Sequence, residues 1–259
     1  MKKANLWTAL ISSVVTLGVV LLVMNFITGE KKIERTPERR YATDDPQFAR
    51  SMSVLLGPPI VAGNHVQVLV NGDRIFPAML AAIAQAQRTI SESMQLMYLM
   101  AITAARESIQ LANSYFVPDA MTTAALAAAA QRGVKVRVIA PGEHIDTELV
   151  RKASRAGWGD LLKAGIEIAE FAPTMFHVKS MVVDGMFVSV GSTNFDNRSF
   201  RLNDEANLNV LDAGFAKEQI AIFDADWKRA RPITHEQWLN RPWNEKALEH
   251  LAALLKSQL

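Results

Sequence analysis

The chain of 259 residues lacks cysteine, which excludes disulfide bonds and thiolate metal sites. Histidine is scarce, and the five that occur are His65, His144, His177, His235 and His250. They are scattered, without the helical HExxH spacing that is typical of zinc enzymes. The sequence therefore predicts no metal site, and the absence of cysteine leaves no indication of a redox compartment.

Net charge is also small, at +2, but it is unevenly distributed. Residues 1–40 carry a net charge of +4, so the remaining 219 residues carry −2. Nucleic-acid-binding proteins ordinarily present a strongly basic surface, which this slightly acidic body lacks. The composition therefore argues against a nucleic-acid partner, whereas the basic N-terminal region suits anionic lipid headgroups.

Charge is missing altogether from residues 5–28, a run of 24 residues. A helix of that length spans the roughly 30 Å hydrocarbon core of a bilayer. We predict an uncleaved transmembrane anchor over residues 1–29, because a signal peptide has a shorter apolar core and ends in small residues. More Lys and Arg follow this run than precede it, so the positive-inside rule places the C-terminal body in the cytoplasm.

Residues 30–64 are charged and then interrupted by prolines, and we interpret them as a solvated linker with little fixed structure. Residues 65–70 are typical of a strand and 77–90 of an amphipathic helix. The pattern of residues 78–90 recurs at 97–109, which indicates a short internal repeat. Only the second copy is followed by a further strand and loop of its own.

From residue 96 onward, predicted helices and strands alternate, which favours an α/β domain with a layered sheet flanked by helices. The predicted helices cover 96–108, 119–132, 146–164 (one or two helices), 214–229 and 244–255. The predicted strands cover 109–113, 134–140, 166–171, two segments within 174–190, and 206–210.

Polar side chains in Thr174–Val210 have spacings that suit a phosphate group. His177 and Lys179 are two residues apart in a β-like run, so their side chains share a face. Ser192 and Asn194 have the same spacing after a second such run. Two adjacent strands would then present one nitrogen nucleophile or acid together with donors for the phosphate oxygens.

The same residues resemble the HxKx4Dx6GSxN signature of the phospholipase D superfamily. HVK (177–179), Asp184 and GSTN (191–194) match it without gaps, and the continuation FDNRSFRLNDEANLNV (195–210) is closer still to bacterial cardiolipin synthases. The resemblance implies a phospholipase D-like fold. It also implies a double displacement on a phosphodiester through a phosphohistidine, which needs no cofactor.

Roles for the site residues follow from this resemblance. His177 is expected to act as nucleophile or general acid/base, with Lys179 and Asn194 as phosphate donors. Ser192 is expected to bond the phosphate or its own loop. Glu205 looks like the family's acidic residue that fixes the histidine ring.

Four further residues complete the predicted site. Asp184 is grouped with the catalytic residues as part of the motif, in the role of orienting the turn and the lysine. His144, Tyr115 and Arg198 are candidates for substrate binding. His144 and Asp146 both follow a predicted strand end, where α/β proteins tend to place ligand contacts, and the resemblance allows both a substrate-lining role. The alternative is that they are ordinary polar loop residues, with Asp146 capping a helix, and for Tyr115 the alternative is ordinary packing.

The reaction needs two such motifs facing each other, and this chain has one. Residues 65–95 resemble the opening of a first lobe, and 96–259 resemble a complete second lobe. The sequence therefore lacks a counterpart of the body of the first lobe, including the motif that this lobe would carry. Either a second chain supplies the other motif, as a homodimer or a pairing with a related chain, or the protein is catalytically crippled.

The first functional hypothesis is a membrane-anchored phosphatidyltransferase or phosphodiesterase resembling cardiolipin synthase. It would act on a phosphatidylglycerol-like phospholipid as a single-pass protein of the bacterial cell membrane. The alternatives are a catalytically inactive half-enzyme and a phospholipase D-like nuclease homodimer. One motif per chain favours the nuclease, whereas the acidic body and the predicted anchor argue against it.

Overall fold

A computed structural model describes residues 12–20, 40–56, 60–64, 94–203 and 205–256. Residues 12–20 are helical, but within the described ranges no helix is both long and apolar enough to cross a bilayer. The rest of the predicted anchor lies outside these ranges. So do the strand and helix predicted over 65–90.

Nine helices and seven strands have defined bounds in the described chain. The helices are α1 (Pro46–Leu56), α2 (Met94–Ala104), α3 (Ala120–Gln131), α4 (Glu148–Ala156), α5 (Trp158–Lys163), α6 (Asn197–Arg201), α7 (Ala213–Trp227), α8 (His235–Leu239) and α9 (Trp243–Ala253). The strands are β1 (Ser108–Asn113), β2 (Lys135–Pro141), β3 (Glu167–Phe171), β4 (Lys179–Val183), β5 (Phe187–Gly191), β6 (Asn207–Leu211) and β7 (Ala230–Ile233).

The strands form one mixed sheet in the order β6-β5-β4-β1-β2-β3-β7. Strands β1, β2 and β3 are parallel, so their carboxyl ends lie at one edge. Antiparallel β4 begins at that edge, where Lys179 pairs with Asn113, and β5 ends there beside it. We call this edge the C-terminal edge of the sheet. The ends of the five strands β1 to β5 meet at this edge, although several of these strands are distant in sequence.

Helices cover both faces of the sheet, because successive side chains of the central strands are apolar and point in opposite directions. Leu111 and Met181 belong to the core formed with α2, α3 and α5. Ala112 and Ile139 pack on the other face with Phe223 of α7. The predicted α/β class, a sheet flanked by helices, is confirmed.

Helix α1 lies inside the segment that the sequence predicts to be a solvated linker, so that interpretation is wrong for residues 46–56. Pro46 occupies the first position of the helix, where the missing N–H has no cost. Phe48 and Met52 are buried, and the Phe48 ring meets Phe187 of β5 edge-on at 6.0 Å. The sequence pattern treats the prolines as helix breakers, whereas Pro46 begins a helix.

A buried carboxylate joins β3 to its neighbours. Glu170 is 2% exposed and accepts hydrogen bonds from Arg151, Arg155 and Arg231, which come from α4 and β7. Arg155 also bonds to Glu249 of α9 at 2.9 Å. Burial alone would raise the pKa of Glu170, but the three guanidinium groups outweigh it and hold that pKa below its usual range. The network fastens the C-terminal helix to the sheet.

Candidate active site

His177 and Lys179 lie at the C-terminal edge, where the chain enters β4. Lys179 is the first residue of the strand, and its Nζ is 3.2 Å from both ring nitrogens of His177. His177 is exposed, whereas Lys179 is half-buried. The spacing of the two residues predicts that their side chains share a face. In the structure the Lys179 ammonium group lies directly beside the His177 imidazole.

A chain of hydrogen bonds continues from the lysine across three strands. Lys179 Nζ donates to Ser114 Oγ at 2.7 Å, and Ser114 Oγ donates to Asn194 Oδ1 at 2.7 Å. Asn194 Nδ2 in turn contacts Ser199 Oγ of α6 at 3.3 Å. Imidazole, ammonium, hydroxyl and amide are therefore contiguous, as the phosphate-binding interpretation requires.

Buried Asn113 organises the loop that carries Asn194. Its Oδ1 accepts from the backbone N–H groups of Tyr115 and Phe195 at 3.2 and 3.1 Å. Its Nδ2 donates to the carbonyl of Thr193 at 3.4 Å. Asn113 thus ties the end of β1 to the segment after β5, and so fixes the positions of Ser114 and Asn194 relative to each other.

Ser192 faces the loop rather than the histidine. Its Oγ accepts from the N–H of Ala206 at 2.9 Å, and its N–H donates to the Ala206 carbonyl at 3.0 Å. A Cβ at Gly191 would overlap that carbonyl and the side chain of Asn207, so only glycine permits this close approach. Two roles are expected for Ser192, bonding the phosphate or bonding its own loop. In the structure its hydroxyl bonds the backbone of the loop.

Asp184 lies at the far end of the β4–β5 hairpin, away from the other motif residues. Asp184 and Gly185 have φ of 52° and 59°, as a tight hairpin turn requires. The Asp184 carboxylate accepts from the backbone N–H groups of Arg106, Glu107 and Ser108, between α2 and β1. It anchors the hairpin and thereby sets the register that positions Lys179.

Glu205 lies between α6 and β6, and its carboxylate accepts a hydrogen bond from Asn203 Nδ2 at 3.2 Å. No hydrogen bond joins it to His177 in the described part of the chain. Its charge does act on Lys179, where it favours the protonated amine. The ring-fixing role expected for Glu205 stays a prediction.

The electrostatics of the site favour a neutral imidazole. Burial and then the Lys179 ammonium lower the pKa of His177, against the opposing charge of Asp146. Burial also lowers the pKa of Lys179, against the carboxylates of Glu205, Asp146 and Asp196. A neutral imidazole has a free lone pair, which is the form a nucleophile needs.

The three predicted substrate-binding residues lie in separate segments, two in loops and one on a helix. Tyr115 follows β1, and its ring meets His177 edge-on with centroids 6.3 Å apart. His144 is exposed on the loop after β2, at the same edge. Arg198 is exposed on α6. Tyr115 is the one of the three for which the structure describes a contact with the histidine.

Sequence reasoning missed Ser114 and Asp196 as residues of the site, and it left Asp146 between a substrate-lining role and an ordinary loop or helix-capping role. Ser114 connects Lys179 to Asn194, and Asp146 accepts from the Tyr115 hydroxyl at 2.6 Å. Asp196 is 2% exposed and caps α6, and burial raises its pKa to about 6, with the charge of Glu205 adding to the shift. The signal available for Ser114 was its place just after β1, the same kind of position that marks Asp146 after β2 as a candidate ligand contact.

Comparisons with known proteins show which family the chain belongs to. Residues 98–227 match the family described as "Cardiolipin synthase, PLD-like domain". The chain is 39% identical over 163 residues to a cardiolipin synthase of Geobacillus sp. (strain WCH70), which covers 63% of this chain and 32% of that protein. It is 40% identical over 153 residues to cardiolipin synthase A of Klebsiella pneumoniae (strain 342), which covers 59% of this chain and 31% of that protein.

Among solved structures, the fold is similar to phosphatidylserine synthase of Haemophilus influenzae, with a TM-score of 0.51 and 14% identity. That similarity covers 64% of this chain and 44% of the other. The chain spans about a third of the length of the cardiolipin synthases it matches. The resemblance found in the motif residues is confirmed over half of the chain, and the protein belongs to the phospholipase D superfamily, in the family of cardiolipin synthase, PLD-like domains.

Proposed function

We propose that the protein is a membrane-anchored phosphatidyltransferase that acts on phosphatidylglycerol-like lipids through a phosphohistidine. The observation that carries this proposal is the contiguous chain His177–Lys179–Ser114–Asn194 at the C-terminal edge of the sheet. A cation and an amide beside an imidazole match the demands of a phosphodiester, whose non-bridging oxygens gain charge in the transition state.

The chemistry needs two histidines. The neutral His177 imidazole of one chain attacks phosphorus, the bond to the leaving alcohol breaks, and His177 of a second copy, which begins the step as the imidazolium, gives its proton to the leaving oxygen. The acceptor alcohol then attacks phosphorus, the P–N bond breaks, and the alcohol proton returns to the second imidazole. Lys179 and Asn194 donate to the non-bridging oxygens throughout.

A second copy, or a related chain, supplies the other motif in this proposal. Within the described chain, His177 is the histidine that contacts Lys179, whereas His235 and His250 lie on α8 and α9. The exposed position of His177 leaves room for a facing site. The uncharged run at 5–28 supports an anchor in the bacterial cell membrane, with the catalytic body in the cytoplasm.

Incubation of the full-length protein in detergent with phosphatidylglycerol vesicles tests the proposal. We expect cardiolipin and glycerol to appear in equal amounts, because two phosphatidylglycerols are joined with loss of one glycerol. Thin-layer chromatography and a glycerol assay measure the two products. DNA cleavage without lipid turnover would assign the nuclease function instead, and no turnover of either substrate would identify an inactive half-enzyme.

A further inference from the structure

Asp146 and Tyr115 form a polar pair beside the proposed nucleophile. The Tyr115 hydroxyl donates to Asp146 Oδ2 at 2.6 Å and lies 3.4 Å from Thr147 Oγ1. The edge of the same tyrosine ring faces the His177 imidazole. The loop after β2 and the loop after β1 therefore meet next to the histidine, and each contributes oxygen atoms to one small surface.

The position of this carboxylate is unexpected for a phosphate site. Asp146 is exposed, and its negative charge repels the phosphodiester that Lys179 attracts. A carboxylate offers about four lone-pair positions. In the described chain one hydrogen bond reaches it, from Tyr115, so most of its accepting capacity is left for solvent or a ligand. Its charge also acts on the His177 imidazole.

A hydroxyl group is the partner that fits such a pair. An alcohol can donate to the Asp146 carboxylate, and the phenol and the Thr147 hydroxyl offer further contacts within a few ångströms. Water can donate as well, but a single water cannot use two or three of these groups while placing its oxygen at phosphorus. A polyol such as a glycerol headgroup can.

We infer that Asp146 and Tyr115 bind the headgroup hydroxyls of the acceptor alcohol, and so favour transfer to a polyol over hydrolysis. This inference rests on the proposed function and names its acceptor class. It extends the substrate-binding role expected for Tyr115 to Asp146, and it gives that residue a specific ligand, the acceptor hydroxyl group.

The test compares two variants in an assay that measures transfer and hydrolysis together. Wild type, Asp146→Asn and Tyr115→Phe are incubated with phosphatidylglycerol vesicles and increasing concentrations of labelled glycerol. Incorporation of the label into lipid measures transfer, and release of phosphatidic acid measures hydrolysis. We expect both variants to raise the KM for glycerol and to lower the ratio of transfer to hydrolysis by about 10-fold or more, as the loss of a hydrogen bond to a charged group does. Glu143→Gln is the control, because it removes one exposed charge from the same loop.

The possible outcomes distinguish a failure of this inference from a failure of the proposed function on which it rests. An unchanged ratio and KM in both variants, with wild type active and the variants folded by circular dichroism, would overturn the inference alone. The same assay can be run with ethanolamine as the acceptor. If Asp146→Asn lost transfer to ethanolamine but kept transfer to glycerol, the carboxylate would bind a cationic headgroup, and the inference would also be overturned. No lipid turnover by wild type would overturn the proposed function, and this inference with it.

Discussion

Replacing His177 with alanine is expected to lower the rate of phosphatidyl transfer by about 10⁴-fold or more. In the proposed dimer the substitution removes both the nucleophile and the proton donor, because each chain contributes the same residue. Lys179 and Asn194 would remain in place to bind phosphate. Lipid binding should therefore persist while turnover is lost, and product formation over long incubations measures the residual rate.

His250→Ala serves as the matched control for this substitution. His250 is exposed on α9, and its ring contacts the carbonyl of Lys246 one turn earlier. An exposed change of this kind should alter activity by less than about twofold. Substantial cardiolipin formation by His177→Ala would remove the histidine from the mechanism, and the assignment of the site would fail with it.

Replacing Glu170 with glutamine is expected to cost about 3–5 kcal/mol of stability, because it leaves three guanidinium groups around a neutral side chain. Arg151 and Arg155 are each 13% exposed, so water cannot readily replace the lost charge. For a chain of this size the loss corresponds to a fall in Tm of roughly 10 °C. Thermal unfolding in detergent, followed by circular dichroism, measures it.

Glu167→Gln is the control on the same strand. Glu167 is 50% exposed and lies 3.9 Å from the exposed Lys135, so its loss should change stability by no more than about 0.5 kcal/mol. Equal Tm values for the two variants would contradict the importance of the buried network.

The effect of Glu170 should also depend on pH in a definite direction. Its pKa is lowered in the folded protein, so its contribution is complete above the unfolded value of 4.5. The contribution is lost as the pH falls through the lowered value. The difference in Tm between wild type and Glu170→Gln should therefore be constant near neutral pH and shrink in strong acid.

Most of the sheet could be predicted because its strands are short apolar runs bounded by glycine, proline or polar residues. Strand β7 was missed, since Ala-Arg-Pro-Ile is short and contains Pro232. A proline is tolerated there because β7 lies at the edge of the sheet. Helix α6 was missed for a related reason, since its five residues are too few to show a helical period.

The motif residues could be found because their spacing is local: His177 and Lys179 are two residues apart, and Asn194 lies across one hairpin. Ser114 and Asp146 reach the site from loops that precede it by about 30 to 65 residues in the sequence. Only the parallel arrangement of β1 and β2 brings those loops to the C-terminal edge. A single sequence does not show which polar loop residues will meet there.

We propose above that this chain carries half of a two-histidine site, which a second chain completes. Size-exclusion chromatography in detergent with light scattering can separate monomers from dimers, and each fraction can be assayed at once with phosphatidylglycerol vesicles. We expect cardiolipin synthesis to be confined to the dimeric fraction and to fall on dilution as dimers dissociate. A strictly monomeric fraction with full specific activity would contradict it, because one His177 cannot act as both nucleophile and proton donor in the same step.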